Sequence, residues 1–175
     1  SATPTLTSIA LAGTSVVDGA FQSDTIINSA ELAATVKFTV TFDRAVNGLT
    51  NSNFALVDSS SGVSITGATP SYTITTTDNK VFTVSVSNLN GMTNSTLRLD
   101  LLNNTGITDA SSGNGCATTS YASGPSYTVD TTYNTSIVAT TGEDLTLTSS
   151  ETAAHIFVDA SKLTVGDTLA LKLTG

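Results

Sequence analysis

The sequence has no tryptophan, one cysteine, one histidine and only six lysines and arginines in 175 residues. Each shortage narrows the function. Sugar-binding surfaces rely on exposed aromatic faces, and only Tyr72, Tyr121, Tyr127 and Tyr133 stand in for the missing tryptophan. Tyr121, in a long polar loop, is the candidate for such a surface. A lone Cys116 cannot form an intrachain disulfide. It is a buried small residue, an exposed thiol or one half of an interchain bridge. A histidine zinc site or a Ser-His-Asp triad would need His155, and no partner pattern surrounds it. With 14 Asp and Glu the net charge is −8, a surface that repels nucleic acid and anionic membranes. No apolar run reaches membrane-spanning length. There is no initiator methionine and no signal peptide, so the chain is expected to be a mature or excised piece of something longer.

What the sequence does contain is alternation. In Leu32–Asp43 every second residue is apolar, from Leu32 and Ala34 through Val36, Phe38, Val40 and Phe42. That is a strand buried on one face, rich in the Val and Thr that suit a pleated surface. Similar short runs carry Ile9 and Leu11, Phe54 and Leu56, Val63 and Ile65, and Tyr72 and Ile74. Others carry Phe82, Val84 and Val86, then Leu97, Leu99 and Leu101, then Tyr127 and Val129. Between them lie turn sequences such as Asp58–Gly62 and Asp78-Asn79. Charged residues are 11 % of the chain, and the wet faces are Thr, Ser and Asn instead, which suits strands better than helices. Seven or more short strands with no sustained helical period predict an all-β, two-sheet β-sandwich.

The pattern also repeats. Asp24, Glu31, Ala33, Ala34 and Val36 reappear as Asp144, Glu151, Ala153, Ala154 and Ile156. The constant displacement of about 120 residues is the scale of a whole sandwich, so the repeat predicts an array of domains. His155 then aligns with Thr35, an outward position.

Two stretches carry a family resemblance. VTFDRAVNGLTNSNFAL, and LRLDLLNNTGITDASSGNGCATTSYASGPSYTVDTT further on, resemble the middle and the ending of bacterial immunoglobulin-like repeats. Such repeats stand in tandem in very large cell-surface proteins, adhesins among them. The resemblance spans residues 5–132, and the tail from Asn134 resembles the start of another repeat. It implies an immunoglobulin-like sandwich over 1–132, with 133–175 as a partial second repeat or a strand-donating tail. It also implies an extracellular position at the bacterial cell surface. Asp43 and Cys116 depart from the repeat pattern.

No catalytic constellation emerges, so the chain is expected not to be an enzyme. The expected role is structural or adhesive: spacing, display or assembly. The alternatives are a filament or surface-layer subunit joined by strand exchange through residues 134–175, and a carbohydrate-binding module. Partners would be adjacent repeats, neighbouring copies or a host or surface ligand. Sandwich order brings the first loop (Asp18, Asp24, Glu31), the loop with Asn88 and Asn90, and Asp130 to one pole facing the next repeat. Their hard oxygens suit Ca²⁺, and the resemblance to surface arrays also suggests calcium there. The expected metal set is Asp24, Glu31, Asn90 and Asp130; the competing reading is ordinary turn residues. Lys37, on the central strand, faces outward, which opposes an intramolecular Lys–Asn cross-link. The acceptor triplets at Asn94, Asn103 and Asn134 are as common as chance predicts in so polar a chain.

Overall fold

The computed structural model describes residues 2–14, 25–27 and 29–131, with the backbone of four short strands beyond them. In chain order the strands are β1 (Leu6–Thr14), β2 (Ile26–Ile27), β3 (Val36–Phe42), β4 (Val46–Asn47), β5 (Phe54–Asp58), β6 (Val63–Ser64), β7 (Ser71–Thr76), β8 (Val81–Ser87), β9 (Ser95–Leu101), β10 (Thr108–Asp109) and β11 (Ser126–Val129). One turn of helix, α1 (Ser29–Leu32), precedes β3.

Two sheets form the sandwich. One has the order β1-β3-β8-β7, the other β2-β11-β9-β5-β6, and β4 and β10 make a small separate ribbon. Lettered along the chain without that ribbon, the order is A-B-E-D against A′-G-F-C-C′. This is the immunoglobulin arrangement. The first strand changes sheets: β1 pairs antiparallel with β3, and β2 pairs parallel with β11.

The alternation in the sequence becomes the core. Val36, Phe38, Val40 and Phe42 of β3 are fully buried, and Leu97, Leu99 and Leu101 of β9 are buried on the facing sheet. Each such side chain contributes roughly 1.5–3 kcal/mol by leaving water. The rings of Phe38 and Tyr127 meet edge-to-face at 5.4 Å and 72°, joining β3 to β11 across the sandwich. Phe42 and Phe82 make a second such pair at 5.9 Å.

Two expectations shift. The central strand begins at Val36, not Leu32. Residues 29–34 turn instead, with Ala34 N–H donating to the Glu31 carbonyl at 3.1 Å. Leu32 is still buried, because the turn points it into the same core. Val63 is 63 % exposed, although its spacing with Ile65 reads as inward. β6 is a two-residue strand at the edge of its sheet, so Val63 sits at the rim of the core.

Beyond residue 131 the backbone forms β12 (Ser136–Val138), β13 (Leu145–Leu147), β14 (Phe157–Asp159) and β15 (Leu171–Leu173). β12 pairs parallel with β14, and β13 parallel with β15. β13 and β14 fall where the repeat displaces β2 and β3. The β13–β15 pairing is parallel like that of β2 with β11, whereas β12–β14 is parallel where β1–β3 is antiparallel.

Candidate functional site

Register defines two poles. Leu6 faces Phe42 and Thr14 faces Val36, so β1 runs from an incoming pole near Phe42 to an outgoing pole near Val36. Val36 also faces Val86. β11 ends beside the start of β9, with Val129 opposite Ser95. The outgoing pole therefore gathers residues 29–35, the β5–β6 turn, the β8–β9 loop and residues 130–131.

At the incoming pole the chain is pinned. The Asp43 carboxylate accepts the Thr5 N–H at 2.7 Å, and the Asp43 N–H donates to the Thr5 carbonyl at 2.9 Å. The Thr5 bond is the main cause that holds the Asp43 carboxyl below its usual range. Ser112 Oγ and Asn114 Nδ2 both donate to the Ala2 carbonyl. Asp109 is buried, paired with Arg44, and caps its own loop by accepting from the N–H groups of Ser111 and Ser112. Those bonds, with Ser112 foremost, lower its carboxyl to about 2. Cys116 is buried here. Its N–H donates to Ile107 and the Ala117 N–H to Pro4, and burial raises the thiol above its ordinary value. Asp43 and the loop that carries Cys116 thus both hold the incoming segment.

The outgoing pole holds a shallow cleft of about 280 Å³ between the β5–β6 turn and the β8–β9 loop, lined by Asp58, Ser61, Val63, Ile65, Thr93 and Asn94 among others. Asp58 Oδ1 accepts from Thr96 Oγ1 at 2.6 Å, Ser60 Oγ at 2.7 Å and Ser60 N–H at 3.0 Å. These bonds, Thr96 first, pull its carboxyl to about 2. At the same pole two glycines let the β6–β7 and β8–β9 connections approach closely. A Cβ on Gly67 would lie 2.3 Å from the Gly91 carbonyl oxygen, and the converse distance is also 2.3 Å. Both have positive φ. Asn94 Oδ1 accepts from the Thr131 N–H at 2.7 Å and from its hydroxyl at 3.0 Å, and the Asp130 N–H donates to Ile27 at 2.9 Å. The departing chain is tied down as firmly as the incoming one.

The structure places Glu31, Asn90 and Asp130 at this pole, by way of α1, the β8–β9 loop and the end of β11. Glu31 is turned inward, 1 % exposed, with Oε2 accepting the Thr14 hydroxyl at 2.9 Å. Asn90 is exposed and Asp130 half-buried. Asp18, Asp24 and His155 lie outside the described residues. Among the described residues no three His, Cys, Asp or Glu side chains come together as a metal group. Tyr121 is half-buried and packed on the core, bridged to Leu101, so little of its ring is open to a sugar. The Asp58–Thr96–Asn94 group was not foreseeable. DSSSG reads as a turn, but Thr96 reaches it only through the pairing of Val57 with Arg98.

No family model and no curated protein matches the chain. A solved structure, the N-terminal part of the bacterial S-layer protein SbsC, is similar at 15 % identity with a TM-score of 0.40, over 83 % of this chain and 27 % of that one. The chain thus spans about a quarter of that neighbour's length. No helix among the described residues is long and apolar enough to cross a membrane.

Proposed function

We propose that this chain is a non-enzymatic structural segment of a bacterial extracellular surface protein, an immunoglobulin-like repeat that spaces, displays or assembles. One observation supports it most. The chain is fastened at both poles, by Asp43 to Thr5 on the way in and by Asn94 to Thr131 on the way out, and those poles lie at opposite ends of the strands. A unit built this way passes direction from one neighbour to the next. Among the described residues, Asp43 and Asp109 at one pole and Asp58 and Glu31 at the other are engaged in hydrogen bonds to neighbouring loops and strands.

In this reading residues 133–175 belong to a second repeat. The pairing of β12 with β14 and β13 with β15 favours that over a strand donated to a neighbour. Labelling of intact source cells with an antibody against residues 2–131 tests the reading. Staining before lysis is expected; staining confined to lysed cells would sink it. Light scattering on 1–175 and 1–132 separates the alternative. Monomers of both lengths exclude strand exchange through the tail.

A further inference from the structure

The two large sheets have four edges, and three are blunted. β2 and β6 are two residues long, too short to template a partner. β1 has register shifts at Leu6/Ser8 and Leu11/Thr14, and residues 117–124 lie along it. Leu6 N–H donates to Thr118 Oγ1, Ala117 N–H donates to the Pro4 carbonyl, and a Cβ on Gly124 would touch Ile9. The fourth edge, β7, is touched among the described residues only near Tyr72, where the turn at Asn51–Asn53 packs beside it. Its six residues keep unbroken register with β8. The strand Ser71–Thr76 has no charge, proline or glycine, in a chain of net charge −8, and it is made of the Tyr, Ile and Thr that favour pleated pairing.

The direction of its backbone groups follows from the ladder. Phe42 N–H donates to the Lys80 carbonyl, so even-numbered residues of β8 bond to β3 and odd-numbered ones to β7. On β7 this commits Ser71, Thr73 and Thr75 to β8 and turns the N–H and C=O of Tyr72, Ile74 and Thr76 outward. The Tyr72 carbonyl agrees, because it accepts Asn51 Nδ2 at 3.4 Å from beyond the sheet. Among the described residues nothing else bonds these outward groups.

We propose that β7 pairs antiparallel with β7 of a second copy of this chain, about a two-fold axis at Ile74. The outward groups set the register. Ile74 exchanges both hydrogen bonds with Ile74 of the second copy, and Tyr72 lies opposite Thr76. Thr73 and Thr75 then face each other across the joint at non-hydrogen-bonded positions, with Cα atoms about 4.5 Å apart. Thr–Thr pairs are favourable there. The charged Asp78–Lys80 turn at one end of β7 meets the Pro70 end of the other copy and not its own twin. Asn51 releases the Tyr72 carbonyl as the strands join. An isologous contact closes at two copies. The area is small, so free chains associate weakly, and tethering copies side by side strengthens the contact without new bonds.

The test uses the full chain. Thr73→Lys with Thr75→Lys places like charges opposite one another on exposed positions, and circular dichroism checks that the fold survives. Light scattering against concentration should show a monomer–dimer equilibrium for the unsubstituted chain, weakened at least about tenfold by the lysine pair. Copies bearing Thr73→Cys, mixed with copies bearing Thr75→Cys, should oxidise to dimers far faster than Thr73→Cys alone. The unsubstituted chain, with Cys116 buried, is the control. A chain monomeric up to millimolar concentration would overturn the proposal. So would a dimer indifferent to the lysine pair, equal cross-linking by Thr73→Cys alone, or association lost only when residues 133–175 are removed.

Discussion

The Tyr127 hydroxyl accepts the backbone N–H of Gly13 at 2.7 Å, from the opposite sheet. It also accepts from Ala12 at 3.0 Å and donates to the Lys37 carbonyl at 2.7 Å. Gly13 sits in the register shift at the end of β1, with φ of 84°. One phenol therefore satisfies backbone groups that the shift takes out of the ladder. Tyr127→Phe keeps the ring on Phe38 and removes only these bonds. It should cost about 1–3 kcal/mol, the penalty for stranding buried polar groups, read as a lower urea midpoint with an unchanged slope.

Asn53 is completely buried. Its Oδ1 accepts from Thr50 N–H, and its Nδ2 donates to the carbonyls of Asn103 and Thr105. Asn53→Ala should destabilise by about 1–3 kcal/mol. Asn53→Asp should be worse at neutral pH, since a carboxylate offers no donor to those carbonyls. Chemical denaturation of the two variants, with Ala the milder, checks the order.

Gly67 and Gly62 both have positive φ, but a Cβ at Gly62 meets nothing within 4 Å. Gly62→Ala thus carries only the backbone strain, about 1 kcal/mol. Gly67→Ala adds a clash with the Gly91 carbonyl. It should lower the melting temperature clearly more and disturb the amide signals of the β8–β9 loop.

Asp58 and Asp109 both have carboxyls lowered to about 2 from 3.8. A depressed carboxyl contributes stability that is full above the unfolded value and is lost as pH falls through the folded one. Stability should decline mainly between about pH 4 and pH 2. Asp58→Asn should flatten that decline. An acid limb as steep as in the unsubstituted protein would show that other groups govern it.

Calcium at the outgoing pole would draw on Asp130 and Asn90, since Glu31 is already turned to Thr14. Millimolar calcium should raise the melting temperature over chelator, and Asp130→Ala should abolish the rise. A melting curve unchanged by calcium removes the ion from this pole.

The sandwich was readable because its core is written at period two. Phe38, Val84 and Leu99 declare their side from spacing alone. What spacing cannot convey is which polar residue meets which. Asp43 looks like an anomaly until Thr5, 38 residues away, arrives beside it. Asn53 looks like a turn residue until Asn103 and Thr105 close over it. Val63 fails for a related reason: periodicity names a face, and only the length of the neighbouring strands decides whether anything covers that face. Of the expected metal set, Glu31, Asn90 and Asp130 share a pole and Asp24 lies outside the described residues; the helical turn that points Glu31 inward left no mark in the alternation.

The parallel pairing of β2 with β11 has a mechanical meaning. Its bonds run from Thr128 N–H to Thr25 and from Asp130 N–H to Ile27, at 2.8 and 2.9 Å. The chain comes in through β1 and β2 and goes out through β11. A pull on the two ends drags β2 and β11 past each other along their length, and drags β1 past β3 likewise. Such a load falls on all the bonds of a ladder together. A hairpin pulled from its open end surrenders its bonds one after another, whereas this joint resists in shear until they break at once.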